Sequence, residues 1–289
     1  MKVTLVEYIR DAEKILTAGG LATRSHKTLA EYEPTEKEIK MMIKLSKEMK
    51  LSSILDFPYY IFTIKDVSRS FTHQWVRYRM AAHMQQSLRY VKVDPNNYNW
   101  FVIPPTILQK DVNVILEYVR TQINSGKSYL KMLESGIPPE DARFLLPIGV
   151  KTHISTAMDA EELLHIIYQR TCYDAQWEIR TVAFVLLLAG YIVHPLIFQG
   201  AGPSCISENI CRGTFKGKCY KDVKKLIDSL FQLGDEYRIK YNNLREGSLE
   251  IDLTDILGYR MNINKKKELT SILGKDVDFD FKVVLEVRK

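Results

Sequence analysis

The sequence predicts an α+β fold, a small antiparallel or mixed sheet packed against several long helices. Two kinds of segment predict it. Short runs rich in β-branched and aromatic residues, several of them alternating, occur at Val3 to Tyr8, Tyr59 to Ile64, Val150 to Ala157 and Val277 to Val287. Long segments with apolar residues on one helical face occur at Thr35 to Met49, Thr106 to Ser135 and Tyr220 to about Asn243.

Length and composition narrow the class. A chain of 289 residues makes one large domain or one domain with an appendage. Hydrophobic content of 46% and charged content of 26% are ordinary for a globular protein. No apolar run approaches the roughly eighteen residues of a membrane span. The longest, Val182 to Val193, is interrupted by Gly190. The N-terminal strand pattern holds no signal-peptide core, so a cytoplasmic protein is expected, with no membrane partner. A net charge of +6 favours anionic ligands without amounting to a nucleic-acid footprint. Lys265-Lys266-Lys267, the longest basic block, reads as a solvated loop or helix start.

In chain order, Asp11 caps a helix to about Thr17, ended by Gly19-Gly20. Thr35 and Glu38 form a capping box for the next helix. Ser68 to Val76 is helical after the second strand. Thr106 to Ser135 is one long helix closed by Gly136, and Pro138-Pro139 opens a short one. Asp159 caps a helix from Ala160 to Arg170, and another runs from Tyr173 to Ala189.

Three permanent charges, Arg77, Arg79 and Arg89, lie among Gln74, Gln85, Gln86 and Ser87, with no clean apolar period through the second half. Arginine suits two-pronged recognition of phosphate and carbonyl oxygens. A solvated basic surface helix is the alternative. Trp75, Val76, Met80, Ala81, Ala82 and Met84 surround the charges with buryable surface and favour a partly buried cationic pocket. Arg143, in Ala142-Arg143-Phe144-Leu145-Leu146-Pro147, is a candidate phosphate or pyrimidine contact, with an ion pair to Asp141 or Glu140 as the alternative. Cys205, Cys211 and Cys219 lie in a turn-rich stretch whose spacing matches no zinc pattern. Reduced cysteines with no metal are expected there, a zinc site being the alternative. Cys172 reads as a lone packing residue.

Arg77, Arg79, Ser87, Arg89 and Tyr90, preceded by Gln74-Trp75, resemble the signature of the flavin-dependent thymidylate synthases (the ThyX class). So do the Ala-Arg-x-x-Leu-Pro at Ala142 and the run Leu163-Leu164-His165, Arg170 and Ala175-Gln176-Trp177-Glu178-Ile179-Arg180. The match covers roughly residues 1–200. It implies a ThyX-like catalytic domain there, followed by a Cys-containing and helical/strand extension over 201–289. The resemblance implies reductive methylation of dUMP to dTMP, with FAD as cofactor and NADPH and methylenetetrahydrofolate as co-substrates. It implies a homotetramer whose active sites are shared between subunits, the signature arginines and Arg143 meeting across an interface. It assigns catalysis to Arg77, Arg79 and Arg170, and dUMP to Gln74, Gln85, Gln86, Ser87, Arg89, Arg143 and Arg170. FAD falls to Thr23, Ser53, Asp56, Arg77, Tyr78, Arg79, Asp159 and His165. Gln176-Trp177-Glu178 looks architectural.

The chain departs from the family at Tyr78 (usually His), Ala82 (Ser), Gln85 (Glu), Asp159 (Asn) and Glu161 (Arg). The segment Leu51-Ser52-Ser53-Ile54-Leu55-Asp56 also lacks the family's His. A divergent nucleotide-binding member, non-catalytic without flavin chemistry or altered in specificity, is therefore the alternative function, and a nucleic-acid-binding module a more distant one.

Overall fold

The computed structural model describes residues 1–49, 52–96, 98–274, 279 and 281–289. Six strands form one sheet: β1 (Lys2–Tyr8), β2 (Tyr59–Ser68), β3 (Ala82–Gln85), β4 (Lys151–Asp159), β5 (Ser248–Asp252) and β6 (Val284–Arg288), in the order β3-β4-β2-β1-β6-β5. Neighbours are antiparallel except β1 and β6, which run parallel, so the sheet is mixed, as expected. Strand alternation puts Val3, Leu5, Tyr60, Phe62, Ile64, Ile154, Met158, Leu285 and Val287 on one buried face.

The helices are α1 (Ala12–Ala22), α2 (Glu36–Glu48), α3 (Arg69–Trp75), α4 (Pro105–Leu108), α5 (Val112–Glu134) and α6 (Pro139–Ala142). They continue with α7 (Ala160–Arg170), α8 (Trp177–Val193), α9 (Pro195–Phe198), α10 (Ser204–Ser207), α11 (Tyr220–Asn243), α12 (Thr254–Leu257) and α13 (Ile263–Leu273). α8 is apolar nearly all round because it is buried nearly all round, with contacts to the sheet and to α11. Gly234 of α11 lets the two helices approach, since a Cβ there would stand 2.5 Å from the Tyr191 ring. A second core, under α4 and α5, gathers Trp100, Phe101, Ile115 and Val119 with Leu269 and Phe279.

Several boundaries differ from the sequence reading. α1 continues through Gly19-Gly20, which give room to Leu29 and Met42 rather than a stop. The expected helix from Thr106 to Ser135 is broken. Pro104-Pro105 start a single turn, and Asp111 then caps α5 by accepting from Asn113 N (2.9 Å) and Val114 N (3.2 Å). α8 begins at Trp177, not Tyr173, because the Gln176 side chain caps it. The last strand is shorter than Val277 to Val287: Val277, Asp278 and Asp280 lie outside the described residues, and Phe281 forms only a bridge to Tyr259. The three lysines do start a helix, α13.

His194 closes α8 and is 2% exposed. Its Nε2–H donates to the Arg10 carbonyl (3.0 Å), which leaves Nδ1 to accept from Tyr60 OH (2.8 Å). Burial holds the imidazole neutral, its pKa lowered from 6.5 to about 4. The unfolded chain takes up a proton below pH 6.5 that the folded chain refuses, so stability falls as pH drops from 6.5 to about 4. The expected loss is roughly 3 kcal/mol across that window. Urea titrations between pH 7.5 and 4.5 check it, and an unchanged pH slope in His194→Gln would refute the assignment.

Candidate functional site

The site is organised by β4, with different groups gathered at its two ends. At the Lys151 end, a bulge at Asp66 (φ 60°) breaks the β2–β4 register and turns both Val67 and Ser68 inward. Ser68 then caps α3, its Oγ accepting from Phe71 N (3.0 Å). The Glu178 carboxylate accepts from Ser68 N (2.7 Å) and Ser68 Oγ (2.5 Å). Burial raises the Glu178 pKa, while the Ser68 bonds pull it down. The architectural reading of Gln176-Trp177-Glu178 fits these contacts. Gln176 caps α8, Trp177 packs edge-on against Phe281 (4.8 Å), and Glu178 ties α8 to the start of α3.

That anchor aims Arg69, a residue the sequence reading missed. Its Nη2 donates to the Gln86 carbonyl (2.7 Å), while its Nε is buried with no partner. Burial and then the nearby positive charge of Arg143 push its pKa down. Arg143 is half-buried and donates through Nε to the Glu140 carbonyl (3.0 Å), not to a carboxylate. The Glu140 carboxylate instead accepts from Arg89 Nε (2.9 Å). Arg89 and Arg143 both bond Glu140 within one chain, and Arg69 lies near Arg143, so Arg89 and Arg143 need no subunit interface to meet. Arg69 and Arg143 are neighbouring like charges, Arg69 keeps an unpartnered N–H, and the Glu140 carboxylate is engaged by Arg89, a combination that suits an anion.

The other dUMP candidates occupy the same edge. Ser87 Oγ accepts from Arg89 N (3.2 Å) and sets the turn. Gln85 donates to Thr72 Oγ1 (2.6 Å), and Gln74 to the Ser70 carbonyl (3.4 Å), so both carboxamides are engaged internally.

Toward the Asp159 end, Tyr78 is buried and central. Arg170 Nε donates to its hydroxyl (2.5 Å), which donates on to Gln169 Oε1 (3.1 Å). Gln169 and His165 are joined at 2.9 Å, and the Arg170 guanidinium lies 5.4 Å from the Tyr78 ring centre. Burial raises the phenol's pKa, and Arg170 opposes that. His83 braces the loop by bonding the Tyr78 carbonyl (3.1 Å) and Thr156 Oγ1 (3.0 Å). Gln169 and His83 were also missed.

Arg77 and Arg79 flank Tyr78, but they are exposed, as is Arg89. Among the described residues no hydrogen bond or ion pair engages the guanidinium of Arg77 or Arg79. The expected partly buried pocket is therefore not formed by this chain alone. Val76, Met80 and Met84, expected to cover the charges, are 43%, 72% and 80% exposed.

Asp159 caps α7, accepting from Glu162 N (2.8 Å). Ala160 N reaches the carbonyls of Leu55 (3.2 Å) and Pro58 (2.8 Å), which places the Ser53 and Asp56 segment beside the start of α7. Thr23 is close by, since Gly20 of α1 packs near Ile54. Thr23, Ser53 and Asp56 are exposed, and Leu51 lies outside the described residues. Glu161 Oε2 is buried without a partner and calls for a hydrogen-bond donor.

Tyr78→Phe is expected to free Arg170 and lower the turnover this site supports by about tenfold to a hundredfold, the worth of a charged hydrogen bond. Steady-state rates alongside flavin affinity check this. A variant with unaltered kcat would refute the role.

Comparison with known proteins places these residues in context. The family profile described as "Thymidylate synthase complementing protein" matches residues 4–196. The flavin-dependent thymidylate synthase of Sulfurisphaera tokodaii is 37% identical over 215 residues, covering 73% of this chain and 82% of the relative. That of Sulfolobus acidocaldarius is 38% identical, with 73% and 81% covered. Among solved structures, a UMP/dUMP methylase from Streptomyces cacaoi bound with 5-Br dUMP superposes with a TM-score of 0.60 at 19% identity, over 68% of this chain and 92% of that one. ThyX from Helicobacter pylori, complexed with FAD and dUMP, gives 0.58 at 19% identity, over 70% and 100%.

Proposed function

Given that the chain belongs to the thymidylate synthase complementing protein family, the flavin-dependent thymidylate synthases, we propose how its residues share the work of methylating dUMP with FAD. The observation that carries the reading is the orphaned Arg69 Nε beside Arg143 and Arg89, a built anion site on the signature edge.

The 5′-phosphate of dUMP takes the place at Arg69, Arg89 and Arg143, drawing Arg89 from Glu140. The Ser87 turn and the Gln86 carbonyl fix those arginines. Arg170, oriented by the Tyr78 hydroxyl, holds the pyrimidine and stabilises negative charge as it develops on the ring. Ser87 has no neighbouring base, and the signature has no cysteine, so neither supplies a nucleophile.

The residues fit FAD. Arg77 and Arg79 are uncommitted cations suited to its diphosphate. Asp56, Asp159 and the orphaned Glu161 Oε2 are acceptors suited to ribose hydroxyls or the adenine amino group, with Thr23, Ser53 and His165 at the same end. Glu161 in place of the family's arginine shifts the phosphate load to Arg77 and Arg79. When bound, FAD supplies the hydride, itself drawn from NADPH, that converts the carbon from methylenetetrahydrofolate into a methyl group.

Residues 1–200 form the catalytic part and 201–289 the extension in this reading. A homotetramer with shared sites accounts for the exposed apolar surface at Ile61, Met80, Met84, Phe144 and Ile148. Among the described residues no helix is long and apolar enough to cross a membrane, and we place the protein in the cytoplasm.

The test is the flavin difference spectrum on adding dUMP to protein loaded with FAD. The reading expects a shifted flavin band and dTMP formation with both co-substrates. Nucleotide binding without flavin retention would favour the divergent, non-catalytic member instead.

A further inference from the structure

All four cysteines of the chain line one small, mostly apolar pocket near the end of α7. Cys172 follows the end of α7, Cys205 belongs to α10, Cys211 lies in the following loop and Cys219 precedes α11. The lone packing role expected for Cys172 is thus corrected: the fold brings it to three thiols distant in sequence. The family match ends at residue 196, before three of the four.

The loop is fastened over this pocket. Thr214 donates through N and Oγ1 to the Asp174 carboxylate, the latter at 2.7 Å. Glu208 accepts from Tyr168 OH (2.8 Å) and Arg212 (3.0 Å). Gly213 passes so close that a Cβ there would sit 2.9 Å from Asp174 Oδ2 and 3.3 Å from Cys172 Sγ. The thiols are all free, Cys211 exposed and the other three half-buried. Burial and the neighbouring thiols push Cys205 and Cys219 toward the protonated form, which a bound cation would reverse.

The spacing selects the ligand. Thiolates around one zinc ion stand only about 3.8 Å apart, given Zn–S bonds near 2.3 Å. Among the described residues no three His, Cys, Asp or Glu side chains come together closely enough to hold a single metal ion. Four soft donors that line one void, with no three of them grouped to hold a single ion, suit a polynuclear core that carries one thiolate on each iron. We propose that Cys172, Cys205, Cys211 and Cys219 ligate a 4Fe–4S cluster that fastens the 204–219 segment to the end of α7. Ligation of a dipositive core breaks four S–H bonds, forms four Fe–S bonds and releases four protons, with no change of oxidation state.

The experiment uses the full chain, purified without oxygen or reconstituted with equal ferrous and ferric iron plus sulfide. Iron and acid-labile sulfide are measured, with electron paramagnetic resonance after dithionite reduction. The expected result is about four iron and four sulfide per chain and a low-temperature signal distinct from a flavin radical. Cys211→Ser combined with Cys219→Ser should lower both contents about tenfold while circular dichroism shows a folded protein. One zinc per chain without sulfide, no bound metal, or iron retained in the folded double variant would each overturn the proposal.

Discussion

Substituting Arg69 by Gln is expected to weaken dUMP binding by about a hundredfold or more, since removing one partner from a buried charge contact costs roughly 2–5 kcal/mol. Arg69 is held by the Gln86 carbonyl near the charge of Arg143, and its Nε is buried with nothing to donate to. Bound phosphate would satisfy that donor and offset the repulsion between the two guanidinium groups. The loss should be confined to phosphorylated ligands. Titration calorimetry with dUMP and deoxyuridine separates the cases: an equal loss for both would mean that Arg69 only shapes the fold. A preserved dUMP affinity would remove it from the site.

Glu178→Ala is the second large effect, and it acts through the scaffold. The carboxylate is 1% exposed and takes both polar hydrogens of Ser68. Deleting it strands a buried N–H and a hydroxyl and loosens the cap of α3, at a cost of about 3–5 kcal/mol. The melting temperature should fall on the order of 10 °C. Glu178→Gln keeps one acceptor and should lose about half as much. Because Arg69 follows Ser68, dUMP affinity should also fall in Glu178→Ala where the protein is still folded. Thermal denaturation and nucleotide titration on the same samples check both, and a full-stability alanine variant would refute the anchor.

Local chemistry was legible in the sequence. The Thr35 and Glu38 capping box, the Asp159 cap and the alternation of β2 and β4 follow from neighbouring residues, and each forms as expected. Arg69 was illegible because one arginine at a helix start has no pattern. Its importance comes from a bulge at Asp66, a carboxylate on α8 and a neighbour at Arg143. The Thr106 to Ser135 reading failed because an apolar stripe carries across a break, while the Asp111 cap within it starts a new helix. Gln74 and Gln85 looked like ligand groups, but in this chain Gln74 bonds back to its own helix α3 and Gln85 reaches from β3 to Thr72 of that helix. The exposed Arg77 and Arg79 differ from expectation because the adjacent apolar residues Val76, Met80 and Met84 are themselves exposed in this chain and cannot cover them.

The parallel pairing of β1 with β6 carries a consequence for biosynthesis. β6, the partner of β1 on that side, comes far downstream of it in the sequence, and the Met1 amine donates to the Lys282 carbonyl at 2.9 Å. During translation β1 therefore waits with one hydrogen-bonding edge open, a template for stray strands from neighbouring nascent chains. Closing the sheet requires pairing between strands far apart in sequence, among the slowest kinds of contact to form. A ribosome stalled before residues 284–288 would leave a sheet that ends in a sticky border, and chaperone demand should track that strand rather than the signature segment.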